Sequence, residues 1–347
     1  MRPEAESGGR IFGARALGGA GQSTGQRSRE VCSPPLRQGA RFESVGISLR
    51  QDGLRNHFDG NAGDSDCWLP AVPLRSLTIT RISPLQTGAF RLDGGGMFGL
   101  IPKTMWSQWF TPDEQNRIPL TTRSLLVDTS DGLVLVEAGY GDKWNEKERA
   151  MYEFAPRTVV DALREHGATP DAIAHVVLTH LHFDHAAGLT RKVGAELVST
   201  FPNARIHVQR QEWQDALANK STMTKTYFRS HLDPVATQME LHDGECEPLE
   251  GFKLLPSIGH TWGHQSVLIQ GQDKTVLFLG DACPTMHHAH PAASLGYDML
   301  AYESMLTKAR LLKRAAQERW IIALDHDPTH AYASAVEVDG RMMLHPI

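Results

Sequence analysis

Cysteine is scarce in this chain: four in 347 residues, at Cys32, Cys67, Cys246 and Cys283. Their wide spacing fits neither a metal knuckle nor a small disulfide framework. Reduced thiols in a cytoplasmic protein are the expectation. Excess positive charge is missing too. A net charge of -5 gives no electrostatic footing for nucleic acid or an anionic membrane. No apolar run approaches ~18 residues, so no transmembrane helix is expected. The first residues lack the compact apolar stretch of a secretory signal. The only G-x-S-x-G string, GQSTG at 21 to 25, follows no apolar strand, so a serine-nucleophile elbow has no support.

Lysine is absent from residues 1 to 75, which are rich in Gly, Ser and Arg and show no sustained periodicity. That segment reads as a disordered extension or a start called too early. The folded domain is expected over 76 to 347. With 41% hydrophobic residues the chain can bury a sizeable core. LTITRIS from Leu77 alternates as a strand does. SLLVDTS and GLVLVEAG, joined through Ser130-Asp131-Gly132, predict a hairpin. RTVVDALREHG has helical spacing and a Gly167 stop, and AIAHVVLTH reads as a buried strand. Further strands are predicted in ARIHVQ, FKLLPSI, QSVLIQG, KTVLFLGD and WIIALDH, with helices in RQEWQDALANK and over 301 to 320. Irregular alternation of strands and helices, with hairpins, predicts a layered α/β domain.

One stretch then stands out. THLHFDHAAG places His180, His182, Asp184 and His185 within six positions, just after an apolar strand. A single histidine there would be unremarked, but four such donors at the edge of a core cost free energy unless something pairs with them. Metal coordination is the simplest pairing. Residues two apart in extended chain point the same way, so His180 and His182 can share one ion. Asp184 and His185 come where the chain turns, and suit a second ion. The missing ligands sit at other strand ends: His260 in SIGHTWGHQS, Asp281 in FLGDAC and His326 in ALDHDP. The count closes with His180, His182 and His260 on one ion, Asp184, His185 and His326 on the other, and Asp281 bridging.

H-x-H-x-D-H, G-H-T-x-G-H, G-D and a late His, in that order over about 77 to 330, resemble the metallo-β-lactamase-fold hydrolases. The stretches DGGGMFGLIPKTMW, DACPTMHH and LDHDP are similar to the branch of quorum-quenching lactonases and methyl-parathion-hydrolase-like enzymes. The resemblance implies a four-layer αβ/βα sandwich with a dinuclear site at one edge. It makes His260 the ligand of its motif and gives His264 a supporting place. Nitrogen and oxygen donors suit Zn²⁺ first, and also Mn²⁺, Fe²⁺ or Co²⁺.

The implied chemistry is hydrolysis by a bridging hydroxide, since paired cations lower the pKa of a shared water to about 7. Asp184 is the candidate proton shuttle. Lactonases of this branch carry a Tyr three positions after the bridging Asp, where this chain has Pro284. The role is then absent, or served by His288 or Tyr297. Glu137 stands where relatives have an Asp, and reads as a buried structural acid. His175 and His207 lie inside strands and read as structural. Residues 94 to 110 read either as core or as a mobile wall over the metals.

The expected substrate is a small hydrophobic lactone or ester, an N-acyl homoserine lactone among them. Aryl esters and phosphotriesters are alternatives for the same machinery. In a different class stands a mononuclear-iron persulfide dioxygenase, which iron content would separate. Diiron flavoproteins of this fold are disfavoured, since His182 stands where they carry Glu. Relatives often pair, so a homodimer is a further expectation.

Overall fold

The apolar runs become strands of two mixed sheets in the computed structural model, which describes residues 78–223 and 225–347. The expected extension over 1 to 75 lies outside the described residues. In chain order the strands are Ile79–Asp93 (β1), Arg117–Thr129 (β2), Gly132–Val136 (β3), Ile173–Val177 (β4), Thr190–Val193 (β5), Glu196–Ser199 (β6), Arg205–Gln209 (β7) and Met239–His242 (β8). Then come Cys246–Leu249 (β9), Phe252–Pro256 (β10), Gln265–Gln270 (β11), Thr275–Phe278 (β12), Ile321–Ala323 (β13), Tyr332–Val338 (β14) and Arg341–Pro346 (β15). One sheet has the order β1-β2-β3-β4-β7-β8 and the other β15-β14-β13-β12-β11-β10-β9, while β5 and β6 form a separate ribbon.

Alternation along each strand explains the layers. Leu125, Val127, Val134, Val136 and Val177 meet Leu254, Val267, Ile269, Val276 and Phe278 between the two sheets. Their neighbours Leu126, Leu135 and Val176 point the other way, onto Val159, Ala162 and Leu163 of the Val159–Glu165 helix. On the second sheet Leu268, Leu277 and Ile322 pack against Leu311, Leu312 and Ala315 of the Ala301–Glu318 helix. Both faces of both sheets are covered, so their strands read as continuous apolar runs. The result is the helix–sheet–sheet–helix sandwich expected from the motifs.

Besides the short strands β5, β6, β8 and β9, three features differ from the sequence reading. β1 runs well past the alternating LTITRIS, pairing with β2 as far as Asp93↔Arg117. Gly88 breaks the pattern because Tyr140 packs on it, and a Cβ there would lie 2.4 Å from that ring. The long helix stops at Glu318, short of the expected 320, since Arg319 turns left-handed (φ 57) and sends Trp320 into the core. The β14–β15 hairpin completes the second sheet with half-exposed residues that carry little pattern. Among the described residues no helix is long and apolar enough to cross a membrane.

Candidate metal centre

Parallel pairing brings the donors together. β12 and β13 lie side by side and parallel, so Asp281 and His326 emerge next to each other after their ends. β3 and β4 do the same for Glu137 and the 179–185 stretch. Gln265 stitches the two sheets at this edge, its N–H donating to Thr179 O at 3.0 Å and its amide to Leu178 O at 2.8 Å. After His182 the chain turns into the short Phe183–Ala186 helix, which swings Asp184 and His185 away from the strand direction. Gly188 allows this turn to close on Ala138, where a Cβ would sit 1.9 Å from the carbonyl oxygen.

Two donor groups result, each buried and each using Asp281. His180, His182, His260 and Asp281 form one, and His185, His326, Asp281 and Asp325 the other. Asp281 divides its oxygens between them. Oδ2 lies 3.1 Å from His260 Nε2 and 3.9 Å from His180 Nε2, and Oδ1 lies 3.1 Å from His326 Nε2 and 3.7 Å from His185 Nε2. Asp184 borders the second group, as near to His326 Nε2 as Asp325, whose Oδ2 is 3.7 Å away. The Asp184 oxygens are 3.8 Å from His185 Nε2 and 3.6 Å from His326 Nε2. Asp325 instead stands 3.2 Å from His185 Nδ1, beside Glu137 at 3.2 Å. Two carboxylates at Nδ1 favour the proton there, which leaves Nε2 free to ligate alongside Asp184.

Three of the five histidines are hydrogen-bonded through the nitrogen turned away from the site, as suits ligating imidazoles; His182 instead points Nδ1 inward, 2.9 Å from His260 Nε2, and its Nε2 has no partner among the described residues. His326 Nδ1–H donates to Thr121 O at 2.7 Å, His260 Nδ1–H donates to Asp298 Oδ1 at 2.9 Å, and His180 Nδ1 pairs with Thr179 Oγ1 at 3.0 Å. Glu137, left-handed at φ 67, accepts the Thr179 N–H at 2.7 Å and so braces the start of the motif. His264 lies beneath, its Nδ1 2.7 Å from Ser257 Oγ and its ring 5.1 Å from that of His180. Sequence reasoning missed Asp298, Asp325 and Thr121 as supports. Asp325 adjoins His326, so its place next to a ligand was a usable signal. Asp298 and Thr121 carry none, because only the fold brings them near.

Burial pulls His180 and His182 well below their usual range, and the neighbouring imidazoles add to it, so both are neutral and able to ligate. Burial also acts on His185 and His326, but the surrounding carboxylates outweigh it. His185 is held well above its usual range and His326 rises to about 9. Burial pushes Asp281 up, yet the three histidines around it hold it well below the carboxylate range. The site therefore concentrates negative charge around nitrogen lone pairs. His180 Nε2, His185 Nε2, His326 Nε2 and Asp281 Oδ1 are buried with no hydrogen-bond partner. Buried polar atoms without partners, converging with carboxylates, are what a pair of divalent cations would satisfy.

A cavity of ≈ 120 Å³ opens over these donors. Leu92, Met97, Phe183 and Met223 make its apolar wall, and Tyr152 and Tyr297 supply phenol groups. Burial, then the nearby Asp93, Tyr152 and Asp184, raise Tyr297 above its usual range, so its hydroxyl keeps its proton. Its oxygen has no hydrogen-bond partner among the described residues. His288 does not join it. Its Nε2–H donates to Met97 O at 2.8 Å, its Nδ1 accepts from Thr285 Oγ1 at 2.7 Å, and its ring stacks on Phe98. With both nitrogens engaged and no face on the cavity, His288 is corrected from a candidate catalytic group to a core residue. The 94 to 110 stretch likewise divides. Phe98, Ile101, Trp106 and Phe110 pack into an aromatic core, and Met97 reaches the cavity.

Comparison with known proteins places this geometry. A family model described as the metallo-beta-lactamase superfamily matches residues 117–326. A probable metallo-hydrolase of Mycobacterium tuberculosis is 28% identical over 235 residues, 61% of this chain and 73% of that protein. An N-acyl homoserine lactonase of Bacillus thuringiensis is 29% identical over 216 residues, 58% of this chain and 79% of that protein. The solved structure of a probable metal-dependent hydrolase from Staphylococcus aureus is 30% identical with a TM-score of 0.70, covering 78% of this chain and 97% of that one. The dizinc quorum-quenching lactonase AidC, 17% identical with a TM-score of 0.65, shares the fold.

Proposed function

The chain belongs to the metallo-beta-lactamase superfamily and is a metal-dependent hydrolase of that family, and from this premise we propose that it opens a lactone or related ester bearing an apolar acyl or aryl group. One observation carries the reading: Asp281 splits its oxygens between two donor groups on the floor of a cavity walled by Leu92, Met97, Phe183 and Met223, with Tyr152, Tyr297, Lys225 and Thr226 as its polar margin. Likeness to N-acyl homoserine lactonases supports the lactone.

His180, His182 and His260 would hold one cation, zinc by choice of donors, and Asp184, His185 and His326 the other, with Asp281 common to both. Cations held there would supply Lewis acidity and a water of pKa lowered from 15.7 to about 7. Asp184 lines the cavity, where it accepts the proton of the attacking water and returns it to the leaving alkoxide oxygen. Tyr297 donates from its phenol to an oxygen of the reacting ester, the part left open by Pro284. Leu92, Met97, Phe183 and Met223 bury the apolar group.

Acid release from N-hexanoyl homoserine lactone, followed by pH-stat on zinc-loaded protein, tests the proposal. Turnover is expected, with kcat/KM lowered roughly 10–100-fold in Tyr297→Phe, since a hydrogen bond to a group that gains charge contributes about 1.5–3 kcal/mol. Two bound ions without lactone turnover would direct the search to aryl esters and phosphotriesters. One bound iron with oxygen uptake on a persulfide would replace hydrolysis with dioxygenation.

A further inference from the structure

The turn that precedes the Ala301–Glu318 helix reaches the site twice. Asp298, whose side chain is 1% exposed, uses both carboxylate oxygens. Oδ1 accepts Nδ1–H of His260 at 2.9 Å, and Oδ2 accepts the backbone N–H of Leu295 at 3.1 Å. Asp298 N–H donates back to Leu295 O at 3.1 Å, closing a tight turn with Tyr297 inside it. That tyrosine faces the cavity. Other bonds lock the turn to both sides of the site. Gly296 N–H donates to Gly96 O at 2.7 Å, Met299 N–H to His260 O at 3.1 Å and Leu300 N–H to Gly259 O at 2.9 Å. Gly96 leaves room for the phenol, since a Cβ there would lie 2.0 Å from its oxygen.

We infer that Asp298 is a positioning residue with two separable duties: one oxygen sets the tautomer of His260, and the other holds the turn that presents Tyr297 to substrate. The inference rests on the metallohydrolase reading. A proton held on Nδ1 leaves the His260 Nε2 lone pair for a cation. The same carboxylate ties the backbone at Leu295, so the metal floor and the substrate wall share one anchor.

Asp298→Asn separates the duties. With Nε2 ligating, His260 Nδ1 must carry its proton, so only the amide oxygen can face it. The amide NH₂ then confronts the Leu295 N–H, donor against donor. Asp298→Ala removes both bonds. Zinc content per chain after gel filtration, and kcat and KM for N-hexanoyl homoserine lactone, would be measured for both variants, with and without Tyr297→Phe. Asp298→Asn should keep its two ions and raise KM about tenfold or more, and that rise should vanish in the Tyr297→Phe background. Asp298→Ala should bind zinc roughly 10–100-fold more weakly at one position, so that stoichiometry falls toward one. Loss of zinc from Asp298→Asn equal to that from Asp298→Ala would overturn the division of duties. So would an equal KM rise in both tyrosine backgrounds. Absence of lactone turnover in wild-type protein holding two ions would sink the substrate reading alone. Asp298 is then judged by zinc content alone: two ions in Asp298→Asn and fewer in Asp298→Ala are expected, and equal loss would still overturn the division of duties.

Discussion

Replacing Asp281 with asparagine keeps the side chain's shape and removes one negative charge from between two cation positions. Each carboxylate oxygen serves one donor group, at 3.1 Å from His260 Nε2 on one side and 3.1 Å from His326 Nε2 on the other. Cations bridged in this way stand about 3.5–4 Å apart. Two unit charges at 4 Å repel by about 4 kcal/mol at an effective dielectric of 20, so two dications repel by about 16 kcal/mol. The shared carboxylate attracts both ions and offsets most of that term. Leaving even a quarter of it uncompensated, about 4 kcal/mol, weakens the second ion by roughly 10³. Asp281→Asn is therefore expected to hold one zinc instead of two, and to lose turnover with it. Elemental analysis after gel filtration counts the ions, and titration against a competing chelator gives each affinity. Circular dichroism on the same samples verifies folding. Two zinc ions per chain at wild-type affinity would refute the bridging argument, whatever the activity.

Other expectations follow from the same geometry. His288→Phe preserves the stack on Phe98 but strands Met97 O and Thr285 Oγ1, so urea unfolding should show a loss of about 1–3 kcal/mol with kcat retained. A hundredfold fall in kcat at wild-type stability would instead put His288 at the reacting atoms. Gly188→Ala drives a Cβ into the Ala138 backbone and should cost about 1–3 kcal/mol or more, read as a lowered Tm and reduced zinc content; a wild-type Tm would contradict it. Burial depresses His207, His231 and His288 to about 3. Between pH 6.5 and 3 the unfolded chain thus binds more protons than the folded one. The contribution of these three groups is fully present above 6.5 and is lost as the pH drops, by up to about 1.4 kcal/mol per group per unit. Urea midpoints from pH 7 to 4 should show this slope, and His231→Phe should reduce it by about one proton. An unchanged slope would mean that His231 titrates alike in both states.

The strands were legible where both faces are buried. Val134, Leu135 and Val136 alternate between two cores, and every position demands an apolar residue. Short apolar runs bounded by turn residues follow directly. β14 and β15 escaped notice because a half-exposed sheet edge accepts nearly any side chain, as Glu337 and Arg341 illustrate. The supports of the metal centre were harder still. Thr121 holds His326 through a carbonyl oxygen, a group that every residue possesses. His288 of DACPTMHHAH looked close to the site by its distance from Asp281 along the chain. It stacks instead on Phe98, with both ring nitrogens hydrogen-bonded away from the cavity.

From the sequence alone came the seven expected metal donors, because histidine and aspartate crowded at strand ends have few other uses. Their nitrogen and oxygen donors suit divalent cations such as Zn²⁺. Tertiary structure decided which oxygen of Asp281 faces which group, and that Asp325 stands behind His185 while Asp184 faces the cavity. It also turned Tyr297 inward and sealed His288 in the core. Those choices depend on directions and distances between segments remote in the chain. Strand register and packing set them, and no local pattern of residues encodes either.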